Sequence, residues 1–283
     1  MTENDIDLII KFGGSSITNK DCIETLRVTA LEWCAHLVKK CLNSDKNCVI
    51  VHGAGSFGHH QAKEYHVSSG YSHLSTKFET DKIKLGFSLT RQSVLKLNAS
   101  VIENLLKEGI PAISLSPFLS WKTDNRIVQE DGCEMIHAVL NQGYMPVLHG
   151  DAVFDKSLGC TILSGDTIIE RICEKFEVKK VVFISDVDGI FDKPPNNLEA
   201  KLIKHIQVRT DGDIFMDIQT SQSVNDVTGG IKLKLQAAIN IVKASPKTTV
   251  YISKVSSNST QDICLNDNLD EKTFDSTKIS LKK

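Results

Sequence analysis

Short apolar, β-branched runs alternate along the chain with longer stretches in which apolar residues return every third or fourth position. "DLIIKF" (Asp7–Phe12) and "CVIVH" (Cys48–His52) read as buried strands. Between them Ile23, Leu26, Ala30, Trp33, Leu37 and Cys41 keep helical spacing and predict a helix over Asp21–Leu42. Leu89, Ser93, Leu97, Val101 and Leu105 predict a second over Gly86–Lys107, stopped by Gly109-Ile110-Pro111. "PAISLS" and "PVLHGD" (Pro146–Asp151) read as strands. "SGDTIIERICEKF" is a helix opened by Ser164, and it feeds "KKVVFISDVDGIF", a strand too apolar to face water on either side. "TGGIKLKLQAAINIVKAS" reads as a helix with glycines at its mouth, "TTVYIS" as a strand and "FDSTKISL" as a closing strand.

This order predicts an α/β fold, a three-layer αβα sandwich with a largely parallel central sheet and helices on both faces. A soft boundary is expected near Phe176–Lys179, dividing the chain into lobes 1–177 and 178–283.

Composition narrows the partners. The net charge is −2, from 33 basic and 35 acidic residues, with no basic tail or stripe to suit a nucleic acid. The opening "MTENDIDLIIKFGG" lacks the charged and long apolar regions of a secretory signal, and no run of about 18 apolar residues is present to span a bilayer. Eight cysteines are scattered without a C-x-x-C pair, which favours buried free thiols over zinc. A cytoplasmic protein is expected.

Three glycine-rich turns follow a strand or open a helix: "KFGGSS", "HGAGSFG" and "TGGIK". Such turns let a backbone approach a ligand and aim several N–H groups at one anion, although glycine is also the default residue of an ordinary turn. "HGAGSFG" contains G-x-G-x-x-G at Gly53, Gly55 and Gly58. A dinucleotide site would need a strand ending in an acidic residue about 20 positions on, to hold a ribose. That region is "SSGYSHLSTKFETD", polar and turn-like, and an earlier strand already carries a glycine turn. A phosphate other than a dinucleotide's is the better reading.

"IIKFGGSSITNK" places Lys11 at a strand end, a Gly13-Gly14-Ser15 turn, and Lys20 nine positions after Lys11. It resembles the amino-acid-kinase superfamily, as do "SGDTI", "ISDVDGIFD", "VTGGIKLK" and "STKISL" further along. The G-x-x-x-x-G-K-[ST] string of a Walker loop is absent. Within the superfamily "HGAGSFGH" and "GFSLTRQSVLKLNASVIENLLKEGIPAISLSP" are similar to isopentenyl phosphate kinases. The resemblance implies transfer of the γ-phosphoryl of ATP, with Mg²⁺, to isopentenyl phosphate.

Such a transfer brings two anions together and spreads charge over equatorial oxygens. The acceptor oxygen is already anionic near neutral pH, with a second pKa of about 6, so cations and positioning carry the chemistry without a general base. By resemblance, Lys11 contacts the ATP phosphates while Gly13, Gly14 and Ser15 wrap them with backbone donors. Lys20 stabilises the transition state and Asp166 orients the lysines. Gly55, Asp186, Gly230 and Lys234 lie at the nucleotide, whereas Ala54, His59 and Gly159 face the acceptor, His59 donating to its phosphate. The first lobe would then take the acceptor together with the first ATP-phosphate turn, and the second the nucleotide. A homodimer joined through the Gly86–Lys107 helix is also implied.

Several residues have plainer readings. Lys20 taken alone reads equally as a solvated charge, Asp166 as a helix cap, a role open also to Ser164, and His52 suits a hydrogen-bonded core position. His59, His60 and His66 invite a metal reading, but adjacent helical residues point about 100° apart. Two features depart from the family pattern: His60 stands where proline is common, bringing a second imidazole beside the acceptor phosphate, and Leu233 where glycine is common. An apolar tail pocket is expected from the Gly86–Lys107 helix and the strand after Pro111. A phosphonate (fosfomycin-type) kinase and a catalytically silent ATP-sensing module remain alternatives.

Overall fold

The first apolar run lies in the middle of a large sheet. The computed structural model describes residues 5–282 apart from 45, 73, 194–196, 198, 210–213, 217–228 and 268–273. In chain order the first elements are β1 (Asp5–Phe12), α1 (Gly14–Ile17), α2 (Val28–Leu42), β2 (Cys48–His52), α3 (His59–Glu64) and α4 (Lys77–Lys107). Next come β3 (Ala112–Ser114), β4 (Lys122–Asp124), β5 (Ile127–Glu130), α5 (Cys133–Asn141), β6 (Met145–His149), β7 (Asp151–Asp155) and β8 (Gly159–Leu163). The chain continues through α6 (Gly165–Lys175), β9 (Glu177–Ser185), β10 (His205–Val208) and β11 (Ile214–Met216). It closes with α7 (Gly229–Ala244), β12 (Thr249–Lys254), α8 (Asn258–Leu265) and β13 (Ser276–Leu281).

Among the described residues the main sheet runs β11-β10-β13-β12-β9-β1-β2-β6-β3. Its pairs are parallel except β10–β11 and β12–β13, so the expected, largely parallel α/β architecture is present. β1 and β9 are central and almost wholly buried because helices cover both faces. Side chains alternate across β1: Leu8, Ile10 and Phe12 join the core under α2, α4 and α8, while Ile9 joins the core under α6 and α7. Lys11 therefore emerges on the α6 side. The closing strand β13 pairs with both β12 and β10.

Three sequence-based expectations need correction. The helix drawn from Asp21 begins only at Val28. Before it, Leu26 bridges Thr18, Glu24 adopts a left-handed backbone at φ 51°, and Ile23 is 60% exposed, so the apparent helical period there is accidental. Conversely, the helix expected from Gly86 begins at Lys77, inside the stretch read as turn-like. A capping box starts it: Glu79 N–H donates to Thr76 Oγ1 at 3.2 Å and Thr76 N–H donates to Glu79 Oε2 at 2.8 Å. Finally, "PVLHGD" is divided between β6 and β7. The latter belongs to a second sheet, β5-β4-β7-β8, whose short, mixed-polarity strands carried no clear period.

Seven of the eight cysteines are buried as free thiols and Cys22 is exposed. Among the described residues no helix is long and apolar enough to cross a membrane.

Candidate active site

Two glycine turns lie against each other at the C-terminal ends of β1 and β2. A Cβ on Gly14 would fall 2.4 Å from Gly55 N, so neither turn tolerates a side chain there. Gly55 itself has φ 52°, in the region that favours glycine. Gly13 N–H donates to Ile184 O at 2.9 Å, which ties the turn to β9 and occupies a donor the family resemblance had given to phosphate. Gly14 and Ser15 begin α1, where N–H groups have no intrahelical acceptor, so they are the donors left to meet an anion.

A cavity of about 540 Å³ opens over these turns. Its polar floor includes Lys11, Lys20, His59, Asp166, Asp186 and Lys234, brought together from six elements or loops. Gly13, Gly14, Ser15, Ala54 and Gly55 line it as well. Lys11 is 7% exposed, and its Nζ pairs with Asp166 Oδ1 at the mouth of α6. The helix cap itself is Ser164, whose Oγ accepts from Thr167 N–H at 3.0 Å. Asp166 is thereby left for the lysine, and the capping alternative falls away.

Lys20 Nζ reaches Asp186 Oδ2 at 2.6 Å, and Ser15 Oγ donates to the other carboxylate oxygen at 3.1 Å. Burial acts to raise the Asp186 carboxyl, but the bond and charge of Lys20, with Ser15, outweigh it and hold the pKa below its usual value. Lys234 is lowered from the ordinary lysine range, first by burial and then by the positive charge of Lys11, against pulls from Asp166 and Asp186. His59 is lowered by the enclosing protein first, then by His60 and Lys11. Positive charge that crowds Lys234 and His59 in one cavity favours entry of an anion.

Along the remaining wall stand Ala62 of α3, Thr90 and Val94 of α4, and Ile162 and Leu163 of β8. The expected apolar wall is thus built from α4 as anticipated, with β8 taking the part assigned to the strand after Pro111. Not all predicted residues converge. Gly159 is absent from the cavity lining; it has φ 69° at the start of β8, and a Cβ there would fall 2.6 Å from the Tyr71 ring. Gly230 lies in the first turn of α7, the helix that bears Lys234.

Sequence reading missed Asp151 and the network behind it. Asp151 lines the cavity, accepts from Arg91 Nε at 3.3 Å and from Ser116 Oγ at 3.2 Å, and burial pushes its pKa up to about 6 despite those partners. Beneath it His149 stacks on His52 with ring centroids 5.3 Å apart. His52 is fully buried between Gly53 O and Asn98 Oδ1, each 3.2 Å away, as its core reading required. The acid following "HG" in "PVLHGD" was the available signal, but nothing local tied it to Arg91, 60 positions earlier.

A model of the amino acid kinase family matches residues 8–253. Isopentenyl phosphate kinase of Arabidopsis thaliana is 34% identical, over 90% of this chain and 89% of that protein. The enzyme of the same name from Methanothermobacter thermautotrophicus is 30% identical, over 89% of this chain and 92% of that protein. A crystal structure of isopentenyl phosphate kinase superposes with a TM-score of 0.79 at 27% identity, covering 96% of this chain and 99% of that one. The sheet order, the paired glycine turns and these similarities agree: the chain belongs to the amino acid kinase family, among the isopentenyl phosphate kinases.

Proposed function

We propose that the protein transfers the γ-phosphoryl of Mg-ATP to isopentenyl phosphate, giving isopentenyl diphosphate. The observation that carries this reading is the shared cavity: Lys11, Lys20, Lys234 and His59 converge on it with an apolar wall to one side. A volume of about 540 Å³ suits small, elongated ligands rather than a macromolecule. Lys11 and Lys234 neutralise the ATP phosphates beside the Gly14–Ser15 donors, with Asp166 fixing Lys11. Lys20, aimed by Asp186, stabilises the phosphoryl group in flight. His59 and the Ala54 turn hold the acceptor phosphate, and the tail lies along Thr90, Val94 and Ile162. Asp186 and Ser15 would be the side-chain oxygens to meet a nucleotide-bound Mg²⁺, which would neutralise phosphate charge, although Asp186 already serves Lys20.

In this reading residues 1–177 form the acceptor lobe with the first ATP turn, and 178–283 the nucleotide lobe. The exposed Phe78, Leu85 and Leu106 on α4 support a homodimer through that helix, and the free thiols support a cytoplasmic setting.

The test is ADP release from Mg-ATP with isopentenyl phosphate, dimethylallyl phosphate, geranyl phosphate, fosfomycin or no acceptor. Strong turnover on isopentenyl phosphate and little on fosfomycin is expected. Preference for fosfomycin would make it a phosphonate kinase. ATP binding without acceptor-dependent turnover would make it a sensing module.

A further inference from the structure

We propose that His60 is a positioning residue for Lys20. His60 lines the cavity beside His59, and its Nε2 lies 3.3 Å from the backbone carbonyl of Lys20. A carbonyl only accepts, so Nε2–H donates, which both the cation and one neutral tautomer allow.

The loop that bears Lys20 needs such a tie. Thr18 bridges Leu26, and Asn19 N–H donates to Thr25 O at 2.9 Å, closing the loop's base. Glu24 N–H donates to Ser56 O at 3.2 Å, and its carboxylate pairs with Lys96 at 2.8 Å, anchoring the far side. Between Lys20 and Ile23, among the described residues, the other backbone bonds stay within the loop, from Asp21 N–H to Asn19 Oδ1 at 3.2 Å and from Thr25 Oγ1 to Ile23 O at 3.1 Å, and the bond from His60 ties this backbone to another element. The Lys20 side chain is 63% exposed, and an exposed ion pair such as that with Asp186 holds a flexible side chain weakly. Fixing the carbonyl from α3 limits where the ammonium can travel, and α3 begins directly after the turn that carries Ala54 and Gly55. One short helix therefore links the acceptor turn to the lysine over the transferred phosphoryl group.

This inference rests on the role proposed for Lys20. The test is a double-mutant cycle of His60→Ala and Lys20→Ala, with His60→Gln as the conservative variant that can restore a donor. His60→Ala should lower kcat about ten- to a hundredfold, with KM for both substrates within about twofold. His60→Gln should recover turnover. In the Lys20→Ala background, His60→Ala should cost nothing further. Parental kcat in His60→Ala, or the same loss repeated without Lys20, would overturn the inference while leaving the active site standing. Full turnover in Lys20→Ala would remove the role of Lys20 itself, and the positioning role with it.

Discussion

Lys20 Nζ and Asp186 Oδ2 lie 2.6 Å apart across 166 positions of sequence. The contact joins the loop after β1 to the end of β9, the two central strands, so the same sheet that builds the core sets the separation of lysine and carboxylate. An exposed pair of this kind contributes only about 0–1 kcal/mol to stability. Its value lies in aim. Lys20→Ala should leave the melting temperature nearly unchanged and reduce kcat by about 10²–10³. Retained turnover in a stopped or coupled ADP assay would contradict a transition-state role.

His59 is expected to act on the acceptor alone. His59→Ala should raise KM for isopentenyl phosphate while ATP affinity, measured by calorimetry without acceptor, stays near the parental value. Equal weakening of both would place the whole "HGAGSFG" turn on the nucleotide.

Gly14 and Gly55 make a backbone-to-backbone contact that admits no methyl group. Gly14→Ala forces a Cβ to 2.4 Å from Gly55 N, and backbone cannot rotate away as a side chain would. The two turns must part, so both substrates' KM values should rise and the melting temperature fall. A variant with parental kinetics would show that the turns are free to slide.

Glu170 gives a pH test with a defined sign. Burial, followed by the nearby Asp166 and Glu174 carboxylates, raises its pKa to about 7, against a hydrogen bond from Asn240. A carboxyl raised on folding adds stability at low pH, and that contribution is lost as pH rises from the unfolded value of 4.5 through about 7. Glu170→Gln keeps the shape and removes the charge. It should be more stable than the parent at pH 8, with the advantage shrinking toward pH 5 in urea unfolding. An advantage that does not vary with pH would show that Glu170 does not titrate in this range.

The stacked His52 and His149 should remain neutral through the working range. Burial lowers them to about 3 and about 4, with His149 adding to the effect on His52 and Arg91 to that on His149. Being lowered on folding, they favour the folded state above the unfolded pKa of 6.5, and that support fades as pH falls toward their folded values. Their ring carbon resonances should be flat from pH 8 to about 5. A midpoint near 6.5 for either would place its ring in water.

Several elements were legible because each carries its cause locally. The unbroken apolar runs of β1, β2 and β9 can satisfy themselves only in a sheet covered on both faces, and Ser164 and the glycines at the mouth of α7 mark their helices unaided. The start of α4 was also written locally, as Thr76 and Glu79, but the polar residues around them obscured it. The segment before α2 misled for the opposite reason: its apolar spacing imitates a helix, while contacts to Thr18, Ser56 and Lys96 hold it as a loop.

The chain's residue order by itself determined the α/β class, the glycine turns and the cation set, since these follow from periodicity, backbone permissiveness and side-chain chemistry over a few neighbouring positions, while the family was legible as a resemblance of whole motifs. Only the tertiary structure decided which charge meets which. Lys11 with Asp166, Lys20 with Asp186, Arg91 with Asp151 and His60 with the Lys20 carbonyl are all partners distant in sequence. Sheet register and helix packing bring them together, and neither is encoded in the neighbours of any one residue.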